Sequence, residues 1–255
     1  MENFETDAAI LVEIFKLNNN EITDQRLIIE NKSAIPKMMA SLAKLMTVML
    51  VWDKVMQDKI DPVTTTVEMP ISLLKGSSEY YQFYQKGEQI PLIVLIESAL
   101  IASSNEAVFA LACWHSGTEQ TFVTQMVRQS YFLGLRGSHW TSCSGLEKSA
   151  YTTAQDMSKL AKVFISQYGA IASFCSLKYF EFNGKRVFNT NKLMRSYPNI
   201  LGLKTGNLVG IGSNLINYWI NDDVHYLSIV LEAESREVCY ELSEKIMNKC
   251  MQSKS

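Results

Sequence analysis

A chain of 255 residues with 47% hydrophobic and 20% charged side chains can bury one large core or two small ones. Its formal net charge is −2, with no long run of one sign, which argues against nucleic acid as a partner. Five scattered cysteines without a Cys-x-x-Cys pair, and three histidines without ligand spacing, suggest neither a disulfide framework, nor a metal site, nor a Ser-His-Asp hydrolase.

The opening Met1 to Asp7 is acidic and lacks an apolar segment, so no secretory leader is expected there, and no apolar stretch reaches membrane-spanning length. Ala8 to Glu13 reads as a buried strand and Gln25 to Glu30 as a second, with Asn18 to Asn20 turning between them. Pro36 then interrupts, and a largely apolar helix is predicted from about Ser41 to Gln57. Thr64 to Met69 is β-branched and extended, and Gly76-Ser77-Ser78 is a loop. Helical spacing returns in Leu92 to Ala102, Glu106 to His115, Thr118 to Leu133 and Thr153 to Gln167, with a loop from Gly134 to Ala150. Tyr179 to Phe182 and Lys185 to Asn189 flank Asn183-Gly184, a hairpin signal. Gly202 to Gly206, Ser213 to Ile220 and His225 to Ala233 follow as strands, and Ser235 caps a final helix. Strands, then helices, then strands predict an α/β fold of the α+β type. In it, an antiparallel sheet joins the N- and C-terminal strands, and a mostly helical part at roughly residues 60–170 is inserted between them.

Chemistry enters at Ser41-Leu42-Ala43-Lys44. One helical turn separates the hydroxyl from the amine, so a desolvated Lys44 of lowered pKa can take the Ser41 proton. The pattern is common by itself, and a second copy stands at Ser72-Leu73-Leu74-Lys75. Two later segments give the first copy company. Ser103-Ser104-Asn105 falls between two predicted helices, and Lys204-Thr205-Gly206 lies in a predicted strand. Ser-x-x-Lys, Ser-x-Asn and Lys-Thr-Gly in this order form the motif set of penicillin-binding proteins and class A β-lactamases.

The chain resembles the low-molecular-mass penicillin-binding proteins that are serine-type D-alanyl-D-alanine carboxypeptidases, peptidase family S11. The likeness extends to Lys75-Gly76-Ser77-Ser78, His139-Trp140, Thr152 to Met157, Tyr197-Pro198, Gly202-Leu203 and Ser235-Arg236. It assigns Ser72 to the Lys-Gly-Ser-Ser loop and leaves Ser41 as the nucleophile. The resemblance implies a β-lactamase/transpeptidase-like sheet of about five strands. It further implies that Lys44 is the general base, that Ser103 relays a proton to the leaving amine, and that Asn105 holds Lys44 and the substrate amide. Lys204 and Thr205 would bind the terminal carboxylate, Gly206 would let the substrate backbone approach, and the N–H groups of Ser41 and Asn207 would form the oxyanion hole.

The implied partners are peptidoglycan stem peptides ending in D-Ala-D-Ala and β-lactam antibiotics, with no metal and no cofactor. One catalytic domain over residues 1–255 is expected, monomeric and extracytoplasmic, meeting a membrane only through segments outside this chain, with no C-terminal β-domain or anchor. Alternatives are a β-lactamase or related serine hydrolase, and a penicillin-fold protein that binds peptidoglycan with little turnover. Ser104 replaces the usual glycine and is expected to narrow the cleft, while Asn207-Leu208 replace an aromatic or histidine and a threonine. Tyr197-Pro198-Asn199 is read as a structural turn and Glu147 as a solvated loop residue.

Overall fold

Period-two alternation sets strand β1, Ala9–Asn18, with Ile10 and Val12 pointing to one apolar layer and Ala9 and Leu11 to another. Asn19 and Asn20 both take positive φ, a two-residue turn that matches strand twist, and lead into β2, Glu21–Asn31. The second strand is thus longer than its apolar segment, because its N-terminal half is paired through the backbone while its side chains stay in solvent. The computed structural model describes residues 6–70 and 84–252. Ser72, Lys75 and the loop expected at Gly76 to Ser78 lie outside the described residues.

Short β3, Lys37–Met38, leads to a 3-10 turn, Ala40–Ala43, and then to α1, Lys44–Gln57. After β4, Thr66–Glu68, and β5, Gln89–Pro91, come α2, Leu92–Leu100, α3, Asn105–Ser116, and α4, Glu119–Phe132. Next follow β6, Tyr151–Thr152, α5, Ala154–Gln167, and the single turn α6, Gly169–Ala172. The hairpin is β7, Tyr179–Phe182, with β8, Lys185–Phe188. Asn183 and Gly184 have φ of 48° and 71°, as such a turn requires. The chain closes with β9, Ile200–Leu208, β10, Gly212–Asn221, β11, Val224–Ala233, and α7, Arg236–Gln252.

The main sheet has the order β2-β1-β11-β10-β9, all antiparallel, so the first and last strands of the chain pair as Ile10 with Val230 and Leu11 with Ile229. One face packs on α7 through Val12, Leu215, Trp219 and Val230 against Leu242 and Ile246. The other packs on α1 and α5 through Leu11, Ile216, Leu227 and Ile229. The strand order leaves β9 as an edge strand, beside the 3-10 turn that precedes α1. Among the described residues no helix is long and apolar enough to cross a membrane.

Candidate active site

The turn carrying Ser41 is held from three directions. Asn214 of β10 donates from Nδ2 to the carbonyls of Met38 at 2.9 Å and Met39 at 3.0 Å, while its Oδ1 accepts from Glu232 N–H at 2.7 Å. Ala40 has a φ of 51°, a left-handed conformation that costs an alanine about 1 kcal/mol. Gly145, itself at a φ of 74°, presses on this turn so closely that a Cβ there would lie 2.0 Å from the Ala40 carbonyl oxygen. Ser41 falls in a 3-10 turn, where the sequence pattern predicts the α-helix to start. With three residues per turn, positions i and i+3 are eclipsed, and Lys44 Nζ lies 2.8 Å from Ser41 Oγ.

Lys44 is fully buried, donates to Asn105 Oδ1 at 2.8 Å and lies 3.4 Å from the Ser144 carbonyl oxygen. Burial pulls its pKa from 10.5 down to about 7, with Cys143 and Glu106 opposing part of that pull. Lys204 is equally buried and donates to its neighbour's carbonyl, Thr205 O, at 2.9 Å. Its proton affinity falls well below that of an ordinary lysine, through burial first and the Lys44 ammonium second. Among the described residues no carboxylate is within ion-pairing distance of either amine.

Ser103 stands at a φ of 61°, just before α3. Ser104 does not narrow the cleft as its size suggests. Its hydroxyl caps α3, accepting from Ala107 N–H at 3.1 Å and donating to Glu106 Oε2 at 2.8 Å, so the side chain is buried away from the opening. Asn105, the first residue of that helix, accepts from Lys44. Glu106 is also buried, with Oε1 left without a hydrogen-bond partner.

Strand β9 forms the facing wall. Thr205 Oγ1 donates to Thr190 Oγ1 at 2.7 Å. A Cβ on Gly206 would lie 3.0 Å from Ala40 Cβ and 3.3 Å from Ser41 N, so this wall touches the nucleophile turn. Asn207 is tied back to its cross-strand partner, its Oδ1 accepting from Ser213 Oγ at 2.7 Å. A cavity of about 620 Å³ is lined by Ser41, Ser103, Asn105, Thr205, Gly206 and Asn207. Lys44 and Lys204 lie beneath it rather than on its surface.

Tyr197 packs against the α7 layer, Glu147 is exposed, and neither lines this cavity. Sequence reasoning did not single out Asn214, although an asparagine inside an apolar strand is a signal. It also gave no site role to Thr190, Lys192, Arg195 or Arg236, all of which line the cavity. Among the described residues no cluster of three or more metal-ligating side chains occurs.

A five-stranded sheet with a serine and lysine at the start of its central helix defines the penicillin-binding protein fold. The solved structure of penicillin-binding protein D2 from Listeria monocytogenes, in its ampicillin-bound form, is 25% identical with a TM-score of 0.82, covering 97% of this chain and 98% of that one. The chain belongs to the peptidase S11 family, D-alanyl-D-alanine carboxypeptidase, whose profile matches residues 5–235. It is 32% identical over 216 residues to D-alanyl-D-alanine carboxypeptidase DacC of Escherichia coli, covering 82% of this chain and 54% of that protein. To DacF of Bacillus subtilis it is 31% identical over 212 residues, covering 79% and 51%. The chain therefore spans about half the length of the curated relatives it matches.

Proposed function

We propose that this chain is a serine D-alanyl-D-alanine carboxypeptidase that removes the terminal D-alanine from peptidoglycan stem peptides, and that β-lactams acylate the same serine. The observation that carries the reading is the 2.8 Å contact between Ser41 Oγ and a buried amine of pKa about 7. Such an amine has a large free-base fraction at neutral pH, about half, and is within proton-transfer reach.

In the proposed cycle Ser41 Oγ attacks the carbonyl carbon of the penultimate D-alanine as Lys44 takes the hydroxyl proton. The oxygen that gains charge sits between the N–H groups of Ser41 and Asn207. Asn105 keeps Lys44 in place and accepts or donates at the substrate amide. Ser103 passes the proton from Lys44 to the departing nitrogen, the C–N bond breaks, and D-alanine leaves. Water, deprotonated by Lys44, then hydrolyses the ester and returns the proton to Ser41.

Thr205 binds the substrate's terminal carboxylate, with the Lys204 amine acting on it from beneath the cavity wall and Arg236 at the cavity rim adding a second positive charge. A carboxylate arriving there supplies the counter-charge that Lys204 lacks and favours its ammonium form. The missing side chain at Gly206 lets β9 lie against the Ser41 turn, and the substrate backbone runs along that strand. The steps require only side chains of this chain and water. The whole chain acts as one monomeric catalytic unit, with residues at roughly 60–170 forming the helical wall of the cleft. Its substrate places its action outside the cytoplasmic membrane.

Release of D-alanine from diacetyl-L-Lys-D-Ala-D-Ala tests the reading. The chain is expected to liberate D-alanine and the Ser41→Ala variant to liberate none. No release by the unaltered chain, with the peptide still bound, would instead support a binding role.

A further inference from the structure

The cavity beside Ser41 has room for more than the leaving D-alanine. About 620 Å³ accommodates a ligand of drug size, whereas a single D-alanine leaving group has six heavy atoms. A second recess of about 290 Å³ shares with this cavity the wall formed by Phe188, Asn189 and Arg195, next to Thr190. Four charged side chains line the two spaces, Lys178, Lys192, Arg195 and Arg236, and all four are cations. No aspartate or glutamate lines either one, in a chain whose net charge is −2. All four are exposed, and among the described residues none is within ion-pairing distance of a carboxylate.

The cations are also placed by built structure. Tyr240 of α7 donates from its hydroxyl to the Thr190 carbonyl at 2.8 Å and accepts from Lys192 N–H at 3.3 Å. That link fixes the 3-10 turn Lys192–Arg195 beside the first turn of α7, where Arg236 sits. Asn191 Oδ1 accepts from Leu193 N–H at 3.2 Å and caps the same turn. The Arg195 guanidinium lies 6.0 Å over the Phe188 ring, whose centroid is 6.0 Å from that of Tyr179. An aromatic floor thus supports one of the charges.

We propose that Lys178, Lys192 and Arg195 extend the cleft into an anion-binding subsite that selects acidic leaving groups, peptides carrying a further carboxylate on the amine side of the cleaved bond. The inference rests on the proposed role of Thr205 as the anchor of the terminal carboxylate, which makes everything past it the leaving-group side. Like-charged side chains clustered without counter-ions repel one another, and an anionic ligand relieves that repulsion while forming charge-assisted hydrogen bonds. The chemistry of the cut is unchanged. The same C–N bond breaks, the amine leaves with the relayed proton, and water completes the hydrolysis.

Two isosteric probes test this, diacetyl-L-Lys-D-Ala-D-Glu and diacetyl-L-Lys-D-Ala-D-Gln, which differ in one negative charge on the leaving residue. Binding is measured calorimetrically to the Ser41→Ala protein, so that no turnover is needed, and kcat/KM is measured on the unaltered chain. The glutamate peptide is expected to be preferred about tenfold at low salt, from a few partly exposed charge contacts, with the preference shrinking as salt rises. Lys192→Glu combined with Arg195→Glu is expected to invert the preference. Equal affinity for the two peptides, or a preference that survives the charge reversal, overturns the inference. Failure of the carboxypeptidase reading looks different: neither peptide is cleaved, while the binding preference is still read on the Ser41→Ala protein.

Discussion

Replacing Lys44 with methionine is expected to abolish acylation and at the same time to stabilise the fold at neutral and acid pH. The gain follows from the burial of the amine. A pKa held at about 7 against 10.5 in the unfolded chain is a shift of roughly 3.5 units, or about 5 kcal/mol at 1.36 kcal/mol per unit. Because the folded pKa is the lower one, the unfolded chain binds the extra proton between pH 7 and 10.5. Stability from this group is therefore complete above the unfolded pKa, is lost as pH falls through that window, and stays lost below about 7. Methionine has similar bulk and no charge, so it removes the loss, but it leaves Asn105 Oδ1 without its donor at a cost of about 1–3 kcal/mol. The net gain at pH 6 is about 2–4 kcal/mol, and a melting temperature higher by about 8 °C is expected for a chain of this size. Near pH 10 the unfolded-state amine is still mostly protonated and about 1 kcal/mol of the penalty persists, so the gain vanishes or turns into a loss of up to about 2 kcal/mol from the acceptors left without a donor. Urea titrations of the two proteins at pH 6 and pH 10 measure both values. A Lys44→Met protein less stable than the parent at both pH values would refute the assignment of Lys44 as a strained, uncompensated amine.

Acylation by a β-lactam is expected to fall about tenfold per unit below the Lys44 pKa of about 7, because protonation removes the base; stopped-flow rates from pH 5 to 8 measure the limb. Glu106 favours the ammonium form, so Glu106→Gln is expected to move that limb to lower pH, and a limb moved to higher pH would contradict the placement of its carboxylate. Asn214→Ala strips the hydrogen bonds that hold Met38, Met39 and Glu232, which is expected to cost about 3 kcal/mol in urea unfolding and to slow acylation. Ser104→Gly restores the residue usual in the family yet is expected to leave kcat/KM for the D-Ala-D-Ala peptide nearly unchanged, since the hydroxyl caps α3 and does not line the cavity.

How far the letters reach depends on whether a residue acts through its own neighbours or through distant ones. The meeting of the N- and C-terminal strands was legible because β1 and β11 are apolar on successive positions and must be buried on both sides. The meeting of Ser41, Lys44 and Asn105 beside Ser103 was legible because each lies in a short motif whose order along the chain matches a known set. Asn214 was not, because the carbonyls it holds are 176 and 175 residues away and its role exists only once β10 meets the nucleophile turn. Ser104 was misread for a related reason: residue size was visible, but the direction of the side chain is set by the cap of α3. The basic rim stayed hidden because Lys178, the Lys192–Arg195 turn and Arg236 lie apart along the chain, and it takes the Tyr240 link to bring that turn next to α7.

Intact-mass spectrometry after mixing with benzylpenicillin tests the pairing of Ser41 with the Lys44 free base most directly. The account predicts a gain of one whole β-lactam that persists for minutes and maps to the Ser41 peptide, with no gain in Ser41→Ala or Lys44→Met. An unmodified mass, or a gain that survives in Ser41→Ala, would contradict it.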